Sequence, residues 1–301
     1  MKRVVVGILL GLALAGWGAL SRLPNGAPAA SASPPQRIVS LAPSLTEILF
    51  ALGLGNRVVG VTDFCDYPEA ARRRPKVGGY VTPSLEAIVG LKPQLVVAVP
   101  DVTNRALLER LSQLEIQVLR HEARGLPDIW STIEAIGRTT GTQPQAQRLV
   151  AEMRERMERV REQTRRAPQV RVLFVFAYDP LVVAGGGTFF DELIRLAGGT
   201  NVAGDSRVRY PKYSLEEVLR RDPQVILLPG RHGVSADLLP AQDSAQPWQR
   251  WPGISAVRQG RIYTVNDTAL IRPGPRLIQG LELLARLLHP ELWGQGRRKD
   301  P

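Results

Sequence analysis

After residue 36, short runs of β-branched and apolar residues alternate with stretches in which apolar positions recur every three or four residues. Such alternation predicts α/β layers built on largely parallel strands. In a first set the pattern predicts strands over 37–41, 58–61, 95–99 and 117–119, with helices over 43–52 and 104–114. Ser44 reads as the N-cap of the first helix, with Glu47 three residues on and Gly53 near its end. A second set starts at Val170, with strands over 172–176, 225–228 and 262–265 and a helix around 189–197.

Between the two sets, residues 143–166 contain no glycine, and Pro144 stands where a first helical turn accepts it. Leu149, Met153, Met157 and Val160 form one apolar stripe among charged residues. One long helix is predicted, packed against both units and limiting their relative movement. The expected division is an N-terminal α/β lobe over 36–141, a connecting helix over 142–167, a C-terminal α/β lobe over 168–291 and a flexible basic tail over 292–301.

An internal repeat supports two equivalent halves. Ser84-Leu85-Glu86 leads to Pro93-Gln94-Leu95-Val96, and Ser214-Leu215-Glu216 leads to Pro223-Gln224-Val225-Ile226, each residue 130 positions from its counterpart. Each copy reads as a capped short helix, a proline turn and a buried strand. Convergence is the competing account, because serine caps helices and a first-turn glutamate complements the helix dipole. On either account Glu86 and Glu216 belong at exposed helix starts.

The N-terminus changes the picture of where the protein works. Lys2-Arg3 precedes an uncharged apolar run from Val4 to Leu20, then a small-residue stretch containing Ala30-Ser31-Ala32, the form of a secretory signal peptide over 1–32 with its cleavage site. A retained anchor is the alternative, since the run approaches the lower limit for a bilayer span, roughly 17 residues. No cysteine stands in the small-residue stretch after the run to carry a lipid. A periplasmic protein is expected. Formal net charge is +11, of which Lys2, Arg3 and Arg22 supply three. The remaining basic residues are interleaved with acidic ones, as in Arg154-Glu155-Arg156, a solvated face rather than a nucleic-acid groove.

Catalytic chemistry is sparse. The single cysteine, Cys65, closes no internal disulfide, and the three histidines, His121, His232 and His289, stand in no metal-binding or nucleophile motif. Gly185-Gly186-Gly187-Thr188 is either an anion cradle or a plain tight turn. Aromatic residues at segment ends carry more information: Phe64 and Tyr67 follow a strand, Tyr80 follows Gly78-Gly79, Tyr178 ends a strand, and Tyr210 sits between Arg209 and Pro211. Rings in such loops line crevices at the carboxyl ends of α/β sheets. Asp267 and Arg272 either hydrogen-bond a ligand or pair with each other across a turn. No catalytic residue, metal site or cofactor is expected, and the protein is read as a non-enzyme.

The motifs 38-IVSLAPS-44 with Thr46-Glu47, Val59-Gly60-Val61, Asp66-Tyr67-Pro68, the Ser84-Leu85-Glu86 segment with Lys92-Pro93-Gln94, and 198-GGTNV-202 resemble the periplasmic substrate-binding proteins of cobalamin, haem and ferric-siderophore ABC importers. The likeness spans about residues 36–290. Asp205-Ser206-Arg207-Val208 followed by Tyr210-Pro211 is most similar to the cobalamin-binding branch. The resemblance implies two lobes joined by a single rigid helix, with the ligand held in the cleft between them. It implies that Phe64, Tyr80, Tyr178 and Tyr210 face the corrin, with Asp267 and Arg272 near its polar edge. It implies that Glu86 and Glu216 dock on the importer's membrane subunits. Cobalamin binders often carry Trp where this chain has Tyr80 and Tyr210. The expected partners are therefore an ABC importer and a small metal chelate, with no nucleic acid, and the protein acts as a monomer. A haem or ferric-siderophore receptor is the alternative in the same class; an exported hydrolase using Asp63 or Asp66 is the alternative in another.

Overall fold

The computed structural model describes residues 33–100, 103–121, 125–229, 246–265 and 268–293. The expected signal peptide over 1–32 lies outside them, as do Asp267 and residues 294–301 of the expected tail, whose residues 292 and 293 close a short 3₁₀ turn, Pro290–Trp293.

The first lobe places β1 (Ile38–Ser40), β2 (Val58–Val61), β3 (Leu95–Ala98) and β4 (Gln117–Arg120) in one parallel sheet of order β2-β1-β3-β4. Its helices are α1 (Pro43–Ala51), α2 (Glu69–Arg72), α3 (Leu85–Gly90), α4 (Arg105–Gln113) and α5 (Leu126–Thr140). After α6 (Gln143–Thr164), the second lobe builds a sheet from β5 (Val170–Tyr178), β6 (Leu181–Val183), β7 (Gly199–Asn201), β8 (Val225–Pro229) and β9 (Ile262–Val265). There β5 pairs in parallel with β7 on one side and β8 on the other, β9 follows β8, and β6 returns antiparallel along the end of β5. The second lobe's helices are α7 (Phe189–Leu196), α8 (Leu215–Arg221), α9 (Gln246–Gln249), α10 (Ser255–Arg258) and α11 (Leu277–Leu288).

The two sheets share one winding. In each, the chain's first strand lies inside, the second parallel strand pairs to one side, and the third and fourth extend the other side, so each has a topological switch at its centre. The repeat is structural in detail. Ser84 Oγ accepts from the Ala87 N–H and Ser214 Oγ from the Glu217 N–H, both at 3.2 Å. Each helix is followed by a left-handed residue, Lys92 (φ 47°) and Asp222 (φ 44°). The repeated glutamine then clamps the first strand of its sheet. Gln94 N–H donates to Arg37 O and Gln224 N–H to Arg171 O, both at 2.8 Å, while the Gln94 and Gln224 side-chain oxygens accept from the Arg37 and Arg171 N–H groups at 3.2 and 2.9 Å. Helix capping alone explains the serine and glutamate; it does not explain the glutamine clamp, which sets where each central strand enters its sheet.

α6 follows the predicted span closely. Ala146, Val150, Met153 and Val160 are buried, with Leu149 and Met157 half-buried beside them. α5 comes close enough that a Cβ on Gly137 would stand 2.5 Å from the Ala146 Cβ, so the α5–α6 contact needs glycine there. On its other side α6 packs against α11 and α7, and Arg156 makes a two-pronged ion pair to Glu282 of α11 at 2.9 and 3.0 Å. One hydrophobic cluster therefore continues from Ile38 and Leu45 through Ile133 and Val150 to Phe174, Ile194 and Leu281. The described residues from Pro34 onward form a single compact unit for that reason. A polar tie crosses the lobes as well. α5 has no side-chain cap of its own, and the Leu126 N–H instead donates to Glu192 of α7 at 2.7 Å.

The first helix departs from expectation. Ala42, not Ser44, is its N-cap, Pro43 opens its first turn, and Glu47 is buried rather than folded back on the helix start. The apolar positions that follow it, Ile48, Leu49 and Leu52, carry the packing.

Removing either clamp should weaken folding without changing the fold. Gln94→Ala and Gln224→Ala are each expected to cost about 0.5–1.5 kcal/mol, the net worth of a hydrogen bond in a water-accessible place. Urea denaturation reads this directly, and equal losses at both sites would mark the two clamps as equivalent.

Candidate functional site

The loops at the carboxyl ends of the strands gather exposed apolar surface. Phe64 (54% exposed), Tyr67 (44%) and Val81 (61%) belong to the segment after β2, and Val208 (60%) and Tyr210 (44%) to the segment after β7. Large apolar side chains left in water on both lobes, at the ends where α/β sheets bind ligands, mark a recognition surface.

In the second lobe this surface rests on an aromatic stack. Phe174 and Phe176 project from β5 toward Phe190 of α7, with ring centroids 4.4 and 5.1 Å from it, and Tyr210 meets Phe176 edge-on at 5.0 Å. Each such pair adds roughly 0.5–1.5 kcal/mol beyond area burial, which holds the Tyr210 ring in place while one side stays exposed. Burial raises the Tyr210 phenol's pKa. Phe176 was not among the candidates from sequence, although it lies two residues before Tyr178 on the same strand.

Tyr178 is placed differently from the other rings. The pairing of β5 with β6 shifts register between Val175 and Ala177, and a bulge reverses which face the following residues take. Tyr178 consequently packs, half-buried, against the second-lobe core, its hydroxyl accepting from Trp248 Nε1 at 3.0 Å, and burial pushes its pKa up to about 12. Tyr80 is half-buried and packs against the large shared core beside the segment of Phe64.

Where the lobes meet below these loops, charges replace rings. Glu47 of α1, with a side chain 1% exposed, accepts from Arg276 Nε at 2.9 Å and Arg276 Nη2 at 2.6 Å, while Arg272 Nη1 approaches to 3.4 Å. Arg272 also donates to Asp66 at 2.5 Å and reaches the Phe64 carbonyl at 3.5 Å. The Arg276 guanidinium lies 3.9 Å from the Tyr67 ring centroid, and its Nη2 donates to Thr268 Oγ1 at 2.7 Å. Burial pushes the Asp66 carboxyl up, but the hydrogen bond and charge of Arg272 outweigh it and hold the group below the ordinary carboxylate range. Arg272, which the sequence left open to a ligand or to Asp267, pairs across the lobes with Asp66 and Glu47, while Asp267 lies outside the described residues. Sequence reasoning passed over Glu47 as a capping residue; the available signal was a carboxylate set inside the apolar run Leu45 to Leu52.

The remaining candidates sort quickly. Cys65 is buried beneath the same loop between the hydroxyls of Thr46 and Thr62, each 3.1 Å from its sulfur, and burial raises its pKa, so it is an unreactive thiol. His289 caps α11 in the interior, where its Nε2 lies 3.2 Å from the Gly198 carbonyl. The Gly185–187 run is a packing turn: a Cβ on Gly185 or Gly186 would stand 2.2 or 2.3 Å from the carbonyl of Val208 or Gly204, oxygens that repel an anion. A cavity of about 730 Å³ opens beside edge strand β7, but its arginines Arg171, Arg195 and Arg221 each face a carboxylate, and the exposed rings lie elsewhere. Among the described residues no group of three or more His, Cys, Asp or Glu is placed to hold a metal, and no helix is long and apolar enough to cross a membrane.

Glu86 and Glu216 stand exposed in the first turns of α3 and α8. Their neighbours differ. Glu217 is tied to Arg220 and Arg221 at 2.6 and 2.5 Å, and these bonds hold its carboxyl down to about 2. Glu216 has its carboxyl pKa lowered by hydrogen bonds from its own helix start and from Ser214.

Residues 38–269 match the model of the periplasmic binding protein family. Among curated proteins, the chain is 31% identical over 256 residues, 85% of its length and 90% of the relative's, to the vitamin B12-binding protein of Vibrio cholerae. A vitamin B12-binding protein of Pectobacterium carotovorum is also 31% identical, over 246 residues, 81% of this chain and 85% of the relative. Among solved structures, the periplasmic vitamin B12-binding protein BtuF of Vibrio cholerae is similar with a TM-score of 0.73 and 30% identity, covering 88% of this chain and all of that one (100%). The periplasmic haem-binding protein RhuT of Roseiflexus sp. RS-1 is similar with a TM-score of 0.76 and 29% identity, covering 85% and 99%.

The Asp66–Arg272 pair gives a pH signature. A carboxyl whose folded pKa is depressed adds stability above its unfolded value, about 3.9, and loses it as pH falls through the lower folded value. The melting temperature should therefore drop as the pH is taken below about 4, and Asp66→Asn should flatten that part of the curve while lowering stability at neutral pH.

Proposed function

The chain belongs to the periplasmic binding protein family, and on that premise we propose that it captures cobalamin in the periplasm and hands it to an ABC importer. As a member of this family it is a transport receptor of the periplasm, working with a permease on a small ligand. The observation that carries the ligand reading is the exposed ring surface on both lobes, Phe64 and Tyr67 on one side and Tyr210 over Phe176 on the other, flanking the arginine-bearing junction. A flat macrocycle with amide-bearing edges fits such a surface: ring faces supply contact area, and Arg272 with Asp66 supplies donors and acceptors for the edge. Tyr80 borders the same surface from the first lobe. The vitamin B12-binding relatives match over most of their own length, in support of this reading.

A haem receptor is the second reading. Its support is the pair of phenols, Tyr80 and Tyr210, in place of larger rings, since a phenolate is a good ligand for ferric iron, and the similarity to the haem-binding RhuT. Titration of the purified protein with cyanocobalamin, cobinamide, haem and a ferric siderophore, followed by visible absorbance and heat, separates the two. Saturable binding of both corrinoids is expected. Binding of haem or the siderophore alone overturns the cobalamin reading, and turnover of an ester or phosphate would overturn the receptor reading altogether.

Glu86 and Glu216 are proposed as the docking carboxylates. A first-turn carboxylate gains only about 0.3–1 kcal/mol from the helix dipole, so neither is required for folding. The same Ser-Leu-Glu helix start on both lobes offers one acidic contact to each half of a two-subunit permease. Arginines on those subunits would grip each carboxylate through paired hydrogen bonds. The double variant Glu86→Arg with Glu216→Arg should keep ligand affinity and melting temperature near wild type while abolishing uptake in reconstituted vesicles. Normal transport by that variant would refute the docking assignment.

A further inference from the structure

A carboxylate in the interior of an apolar helix needs a reason to be there. Glu47 is flanked on α1 by the buried residues Leu45, Ile48 and Leu49, and it does not serve as the helix cap, a place taken by Ala42. Both of its oxygens face arginines from the segment just before α11: Oε2 takes Arg276 Nε, and Oε1 takes Arg276 Nη2 with Arg272 Nη1 alongside. At 1% exposure Glu47 is itself out of reach of any ligand. Its two partners are 12% and 13% exposed and lead outward from it. The Arg276 guanidinium sits over Tyr67, 3.9 Å from the centre of a ring that is 44% exposed, and Arg272 bridges to Asp66 and the Phe64 carbonyl at the edge of the exposed rings.

We infer that Glu47 is the positioning residue of the ligand site, fixing the second lobe against the first and, through Arg276 and Arg272, fixing the Tyr67 ring and the Arg272 guanidinium. The chemistry favours this over a purely stabilising role. An apolar contact of the same volume would hold the lobes together as well or better, because two buried charges must first lose their water. What the ion pair adds is direction. A guanidinium gripped at Nε and Nη2 by two carboxylate oxygens has its plane set, and the plane in turn sets the ring stacked on it. Gly274 lies between the two arginines, where its Cβ would stand 3.4 Å from Ser44 O and 3.6 Å from Glu47, so the segment lies directly against α1. The inference makes Tyr67 a ligand-facing ring beside Phe64, and it rests on the receptor reading for its ligand arm only.

The test combines a ligand-free and a ligand-bound measurement. Spin labels at Gln113→Cys on the first lobe and Gln259→Cys on the second, with Cys65→Ser, report the distance between lobes in the absence of ligand; cyanocobalamin titration reports affinity. Glu47→Gln should broaden the distance distribution and weaken cyanocobalamin at least tenfold. Arg276→Lys, which keeps the charge and loses the fork, should do the same, and it serves should Glu47→Gln fail to fold. When Arg272→Met and Arg276→Met are already present, Glu47→Gln should weaken binding no further, because its route to the ligand has gone. A lower melting temperature with an unchanged distance distribution and affinity within twofold would overturn the inference and leave Glu47 a structural residue. Should the wild type bind no corrinoid while Glu47→Gln still broadens the distances, the cobalamin reading falls and the positioning of the lobes stands.

Discussion

A carboxylate with 1% exposure sits inside α1 where two guanidiniums meet it, and both arrive from the far end of the chain, 225 and 229 residues away. Removing one member of such a buried set typically costs about 3–5 kcal/mol, a large share of the roughly 5–15 kcal/mol that holds a domain folded. The arrangement of the lobes follows from it. α6 joins them covalently, the shared hydrophobic cluster glues α5 and α1 to α7 and α11, and Glu192 caps α5 across the boundary. Those contacts are tolerant of small rotations. The Glu47 fork is directional, and it sits at the base of the loops that carry Phe64, Tyr67 and Arg272.

The repeated helix–turn–strand unit shows how equivalence and difference coexist. Both copies keep the serine cap, the left-handed residue and the glutamine clamp, since these define the entry of the central strand. The copies diverge at the residue just before the left-handed one: Leu91 packs against Gly60 in the first lobe, while Arg221 at the corresponding place reaches the Val202 carbonyl, Asp205 and Glu217 in the second. That exchange of an apolar contact for an ion cluster occupies Glu217 and leaves Glu216 as the exposed acid of α8. Two surfaces related by a common backbone thus present one carboxylate each, against different backgrounds of charge.

Much of this was legible in the sequence because it is local. Strand runs, the span of α6, the Ser-Leu-Glu repeat and the placement of aromatic residues after strands all depend on residues close together in the chain. Three things were not. Glu47 read as a member of a capping box because Ser44 stands at the right spacing, and only the fold shows that Pro43 moved the cap to Ala42 and that the carboxylate faces Arg272 and Arg276. The setting of Tyr178 at the end of β5 depends on a one-residue slip against β6 that brings its hydroxyl to Trp248, and no alternation pattern signals a bulge. The glutamine clamp escaped notice because Arg37 and Arg171 stand at a different offset from the rest of the repeat, so the match in sequence stops where the match in structure continues.

A receptor that holds its ligand by ring faces has a particular need for a fixed junction. Stacking and apolar contact are short-ranged and weakly directional, and each loosely held ring must lose its own freedom when the ligand arrives. Here much of that ordering precedes binding: Tyr210 is set by Phe176 and Phe190, and Tyr67 by Arg276, which is set by Glu47. The polar side of the site is ordered in the same way, because Arg272 is already paired with Asp66 and Glu47. That pairing has a consequence for selectivity. A ligand edge that satisfies Arg272 must do so without stripping it from two carboxylates, which suits neutral amides that add hydrogen bonds to an intact pair better than anions that would compete for the guanidinium. On the proposed reading, the chemistry of the junction would favour amide-edged over carboxylate-edged macrocycles independently of the rings, which any flat ligand could stack upon.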